Sequence, residues 1–228
     1  MKNFLLSLRF VIKRVFRLTA ANIAWLIVTA VIVAIGTEAM GVEPVARGDY
    51  DYQFYLMMLP YLLVFLSFGL SSAFSDIYAS VYIRTSGLYK CLRTRAVQVF
   101  ILLFDVVALI PAVIVTAVVN PSALPDFLLI SAIIIGISLP LSSAYFLMWM
   151  VFCGYSIFNL LSGFFGDGYM DGFAFMPTEL SDSLPVAALL SVAILLAGLI
   201  VSFIVSDIIF RIRKRPRDRQ MPKGAMQA

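Results

Sequence analysis

Apolar residues run along this chain in long, nearly charge-free blocks separated by short polar stretches. A helix needs about 20 apolar residues to cross roughly 30 Å of hydrocarbon. Five blocks reach that length: 18–37, 54–75, 96–125 with Asp105 inside it, 127–166 and 183–206. The fourth is long enough for two spans, and Leu139-Pro140-Leu141-Ser142-Ser143 is its expected corner, since proline disrupts a helix interior and serine supports turns. The pattern therefore predicts six spans, at about 18–37, 54–74, 98–119, 126–141, 144–164 and 185–208. The expected fold is an all-α membrane protein, a bundle of about six transmembrane helices in a single transmembrane domain over 18–208.

Composition agrees with the pattern. The 228 residues are 62% hydrophobic and 13% charged, whereas soluble domains are about 45–50% apolar. This size makes one domain.

The placement of charge predicts sidedness. Segment 1–19 holds five basic and no acidic residues, 75–98 four basic and one acidic, and 209–228 seven basic and one acidic. Lys and Arg in short loops are retained in the cytoplasm, so these three segments are expected there, with both termini cytosolic. The alternate loops are acidic: Glu38, Glu43, Asp49 and Asp51 beside Arg47 in the first, Asp126 in the second, and Asp167, Asp171, Glu179 and Asp182 in the third. A bacterial cytoplasmic membrane is the expected location.

The first 17 residues form an expected amphipathic interfacial helix. On a helical wheel Phe4, Leu5, Leu8, Val11, Ile12, Val15 and Phe16 occupy one half, with Leu6 and Phe10 as exceptions, while Lys2, Arg9, Lys13, Arg14 and Arg17 share the other. Such a helix lies flat on the inner leaflet with its cations, Arg9, Lys13 and Arg17 among them, near anionic lipid headgroups. The plainer alternative is a positive-inside anchor for the first span. A cleaved signal peptide fits less well, because the apolar run continues to Gly36 without a convincing small-residue cleavage site. The basic tail over 209–228, directly after a span, reads as a stop-transfer cluster meeting anionic lipid and not as a nucleic-acid site.

Candidate chemistry is sparse. The chain has no His and two Cys, Cys91 in a basic segment and Cys153 in an apolar run. The commonest general base and metal ligand is thus missing, and a structural disulfide is not expected in a reducing compartment. Asp105 is the one acid inside a span, ten residues after Arg95 and so about 15 Å of helix beyond it. An intramembrane carboxyl marks a functional site by default; the alternative is a structural Asp held by polar groups of a neighbouring helix, for instance Ser156 or Asn159. Asp207 and Arg211 have the spacing of an i, i+4 pair. The stretch 163–177 mixes glycines, aromatics and two acids, which suits either a re-entrant pair at the outer interface or a surface loop with aromatics at headgroup level. No GxxxxGK[ST] phosphate loop occurs.

The segment 75–98 is the most informative polar interruption. Within Arg84-Thr85-Ser86-Gly87-Leu88-Tyr89-Lys90-Cys91-Leu92-Arg93-Thr94-Arg95, Leu88 and Leu92 share a helical face, with Lys90, Arg93 and Arg95 largely elsewhere. A basic residue, then Gly87, Leu88 and Leu92, then a polar stretch leading into a span at Val97, resembles the coupling-helix region of type-two ABC exporter permeases. That class moves drugs, peptides, lipids and polysaccharides. The layout is similar too: a flat N-terminal helix, six spans, cytosolic termini and an irregular outer pair before the last span.

The resemblance implies a transport subunit without its own nucleotide site and without a cofactor. ATP and Mg would be bound by a partner ATPase subunit, and a second copy or a related permease would complete the pathway. Arg84, Gly87, Leu88, Leu92 and Arg93 would meet the ATPase. The spans, with scattered Ser71, Ser72, Ser138, Ser142, Ser143 and Asn159, suit a hydrophobic or amphipathic cargo, although ordinary interhelical hydrogen bonding explains such residues equally well. Two other classes stay open: a non-transporting accessory, immunity or assembly protein, and a proton-coupled carrier or membrane enzyme using Asp105.

Overall fold

The computed structural model describes residues 2–17, 20–41, 58–64, 87–144 and 183–217, together with 56 and 154. The described residues are helical apart from short turns or ends at 16–17, 87–88, 120–123 and 183, and they include no strand. Arg84, Cys153, Ser156, Asn159, the first outer loop, the stretch 163–177, most of the expected second and fifth spans and the tail beyond 217 lie outside them.

Besides the helical residues 58–64, five helices have both ends placed among the described residues. We number them α1 (Lys2–Val15), α2 (Ala20–Gly41), α3 (Tyr89–Val119), α4 (Leu124–Ala144) and α5 (Leu184–Arg217). Three stretches, Tyr89–Val119, Leu124–Ser142 and Leu184–Ile212, are long and apolar enough to cross a membrane, and α2 contains the shorter apolar stretch Ile23–Glu38. Their outer faces carry large apolar side chains: Ile27, Val31 and Ile35 on α2, Val107, Ile114 and Val118 on α3, Leu189, Leu196, Ile200 and Ile204 on α5. Water makes such surfaces costly, and hydrocarbon removes the cost.

Side-chain pairings give the helix directions. Trp25 packs on Phe104 with ring centroids 5.1 Å apart, while Thr37 and Glu38 lie across from Pro111 and Val115, so α2 and α3 run parallel. Ser142 near the end of α4 donates to Gln98 near the start of α3 at 3.2 Å, so those two are antiparallel. The turn between them is tight: the Ala123 amide donates to the Asn120 carbonyl at 3.0 Å, and the Phe127 amide to Ala123 at 2.9 Å. Pro125 stands in the first turn of α4, where its missing N–H costs nothing. At the other end Tyr89 packs on Phe210, centroids 5.8 Å apart, which makes α5 antiparallel to α3 and parallel to α4.

The expected corner at 139–143 does not form. The α-helix continues through Pro140 to Ala144. Proline leaves the carbonyl four residues back, that of Gly136, without its helical donor, but a packed neighbour tolerates it. The α4–α5 contact is the most extensive among the described helices, and a Cβ built on Gly198 would lie 2.5 Å from the Gly136 oxygen. Only a glycine lets the two backbones approach so closely. Buried Ala187, Ser191, Ser202 and Ser206 continue this seam of small residues along α5.

The N-terminal helix is also placed differently from a simple two-faced wheel. Val11 and Val15 are buried with Ser7, and Leu8 packs against the core, while Leu5, Leu6, Phe10, Ile12 and Phe16 stay exposed. The apolar half is thus divided into one strip packed on protein and another left open to surroundings. The protein strip meets the start of α3.

Candidate functional site at the base of the third helix

The segment singled out by its resemblance to a coupling helix is the beginning of α3 itself. Helix starts at Tyr89, passes through a π-helical turn over Leu92–Ala96 and runs on to Val119. The polar stretch leading into the span at Val97 is thus helical and continuous with it. The π turn is defined by the Val97 amide donating to the Leu92 carbonyl five residues back. Thr94, a buried residue, uses its Oγ1 to donate to the Lys90 carbonyl at 2.9 Å, satisfying a group that the wider turn strains.

Each sequence-selected residue has a distinct place. Gly87 is exposed, and a Cβ there would meet nothing within 4 Å. Leu88 is half-buried, and its carbonyl accepts the Leu92 amide at 2.8 Å. Leu92 is 2% exposed, inside the core cluster with Val11, Val15, Ala96 and Val97. Its helical spacing from Leu88 is as expected, but its side chain faces this protein and is withheld from a docking partner. Arg93 donates from Nη1 to the Tyr89 hydroxyl at 3.1 Å, and Arg95 is exposed.

The base is tied to the end of α5. Lys90 Nζ lies 3.7 Å from Asp207 Oδ1, an ion pair too long for a hydrogen bond. Arg211 was the expected partner of Asp207; the antiparallel packing of α3 and α5 supplies Lys90 instead. With the lysine side chain 56% exposed, the pair contributes only about 0–1 kcal/mol. The aromatic contact Tyr89–Phe210 supports the same junction.

Length gives this junction its position. At 1.5 Å per residue, the 34-residue α5 is about 51 Å long and the 31-residue α3 about 46 Å, against a hydrocarbon core of about 30 Å. Both overshoot, and the ends that meet at this junction carry the basic residues Lys90, Arg93 and Arg95 of α3 and Arg211 of α5. Arg9 and Lys13 of α1 and Arg17 just after it belong to the same end, because Phe16 packs edge-on against Phe100 with centroids 6.5 Å apart. The described acids Glu38 and Asp126 lie at the opposite ends of α2 and α4.

Asp105 is fully buried on a face of α3 that also buries Gln98, Leu109, Ala112 and Thr116. It is engaged by another group. Sequence reasoning singled out the acid and passed over Gln98, Thr94 and Thr116. Gln98 precedes Asp105 by seven residues, two helical turns, and that spacing was the available signal. Among the described residues no group of three His, Cys, Asp or Glu side chains is placed to hold a metal ion. Comparison with known protein families, with curated proteins and with solved structures finds no match to this chain.

Proposed function

We propose that this chain is the membrane-spanning permease subunit of an ATP-driven exporter, coupled to a separate ATPase subunit through segment 75–98 and moving a hydrophobic or amphipathic substrate outward. The observation that carries the reading is the braced base of α3. A coupling element must take a push at an exposed tip and pass it to several helices without bending. Here exposed Gly87 and half-buried Leu88 lead into α3, α1 packs on the turn just behind them, and Lys90 and Tyr89 join that end to α5. Displacing that end would carry α3 and α5 as one body, as a rigid-body transition requires.

In this reading the chain crosses the cytoplasmic membrane six times with both termini inside. Helices α2 to α5 make four crossings. Because α2 is parallel to α3 and α4 to α5, the chain has to travel back once between the members of each pair, which supplies the other two. The basic residues gathered at one end support that end as cytosolic. ATP and Mg belong to the partner, and a second copy or a related permease completes the route. Arg84, Gly87, Leu88 and Arg93 remain in the proposed coupling surface; exposed Arg95 replaces buried Leu92.

The test is purification of the tagged chain from its own host in mild detergent, with identification of bound proteins and assay of ATP hydrolysis. A stoichiometric ATPase subunit, lost with Leu88→Asp or Gly87→Trp while the elution profile is unchanged, supports the reading. A chain that purifies alone, or keeps its partner in both variants, overturns it. Complete burial of Asp105 favours a second reading, a proton-coupled carrier, in which Asp105→Asn abolishes uptake or efflux driven by a proton gradient without nucleotide.

A further inference from the structure

A crevice runs between α2 and α3. Its lower part, about 410 Å³, is lined by Ile12, Phe16, Leu26, Thr29, Phe104 and Val107 among others. Its upper part, about 670 Å³, is lined by Ala34, Thr37, Glu38, Pro111 and Val115. Ala30 and Val33 line both, so the two adjoin along the same groove. Small side chains keep it open: Ala30 from α2 with Ala108 from α3 in the lower part, and Ala34 from α2 in the upper. From Phe100 to Val115 it extends about 22 Å along the helix axis.

The walls offer almost nothing polar below Glu38. Thr29 Oγ1 donates to the Trp25 carbonyl at 2.9 Å and Thr37 Oγ1 to the Val33 carbonyl at 2.7 Å, so both hydroxyls are satisfied by their own helix. The mouth is different. Ile12 of α1 and Phe16 just after it close the lower end, and exposed Arg9 and Lys13 precede them by three residues each, which puts cations within one turn of the opening at the edge of the polar half of the helix.

We infer that the crevice holds one acyl chain of an anionic phospholipid from the leaflet on which α1 lies, with its phosphate against Arg9 and Lys13. The inference rests on α1 being interfacial and is independent of any ATPase partner. A helix with its side chains is about 10–12 Å across, roughly 400–600 Å³ per turn, so a crevice of this volume and length suits a hydrocarbon chain and not a second copy's helix. The apolar wall beneath a cationic rim matches the two parts of such a lipid in order and in charge.

The experiment uses the full chain in nanodiscs of phosphatidylcholine doped with phosphatidylglycerol carrying a photoreactive acyl chain, with labelled peptides mapped by mass spectrometry. Labelling concentrated on residues 26–34 and 103–111, several-fold above that on 189–204 of α5, is expected. Ala30→Trp, which fills the crevice, should abolish this excess, while Ile200→Trp on the exposed face of α5 should leave it. Arg9→Gln with Lys13→Gln should erase the preference for phosphatidylglycerol over an equally photoreactive phosphatidylcholine. Even labelling of α2, α3 and α5 means ordinary surrounding lipid and overturns the site. Equal labelling by both lipids in the unaltered chain overturns the headgroup assignment, and protein–protein crosslinks through the crevice identify a second copy as the occupant instead. Trp25 fluorescence and monodisperse elution verify that each variant is folded.

Discussion

Gly198 stands directly against the carbonyl of Gly136, with its would-be Cβ 2.5 Å from that oxygen and 2.8 Å from the Gly136 Cα. The contact lies within the largest interface among the described helices. Overpacking a tight site costs about 1–3 kcal/mol, so Gly198→Ala is expected to lower the thermal midpoint in detergent by several degrees. Gly136→Ala, whose Cβ would meet Ile194 at 3.1 Å from the flexible Cγ2 and 3.4 Å from the backbone oxygen, should cost less. Gly87→Ala should leave the midpoint unchanged. The reverse order would mean that α4 and α5 do not cross at the two glycines.

Pro140 lies inside α4, and Pro140→Ala restores a donor four residues after Gly136. A continuous helix should tolerate the change with an equal or higher midpoint in the same assay. A clear loss would favour a chain reversal at 139–143, the role the proline has in the sequence pattern.

Leu92 and Leu88 separate packing from docking. Because Leu92 is 2% exposed in the core, Leu92→Ala should cost about 2–5 kcal/mol, and Leu92→Asp should prevent recovery of monodisperse protein. Half-buried Leu88 should accept Asp with intact elution. Similar behaviour of both variants would contradict the inward placement of Leu92.

The Lys90–Asp207 pair is expected to couple by no more than about 1 kcal/mol. A double-mutant cycle with Lys90→Met and Asp207→Asn, followed by urea unfolding in a mild detergent, measures it. The coupling should shrink as salt rises. A coupling well above that value would indicate a junction shielded from water, contrary to the exposure of the lysine.

Asp105→Asn preserves the size of a fully buried side chain and most of its hydrogen-bonding capacity. For a permease driven by a separate ATPase, substrate-stimulated ATP hydrolysis of the complex should survive the change. Its selective loss in an otherwise folded complex would assign the carboxyl a part in transport.

Residue order alone was enough for the class of the protein, because hydropathy and charge are sums over neighbouring residues. It announces the apolar helices, the amphipathic first segment, the tight link at Asn120–Asp126 and the rarity of Asp105. Whether Pro140 turns the chain, which of two spaced leucines points inward, and whether Asp207 meets Lys90 or Arg211 depend instead on which helix lies alongside. Packing of α5 on α4 makes a proline-bearing helix continuous, packing of α1 on the base of α3 takes Leu92 out of reach, and the antiparallel course of α3 and α5 brings Lys90 to Asp207. The crevice between α2 and α3 has the same origin, since it exists only where Ala30 lines it with Ala108, and Ala34 with Pro111, between two parallel helices.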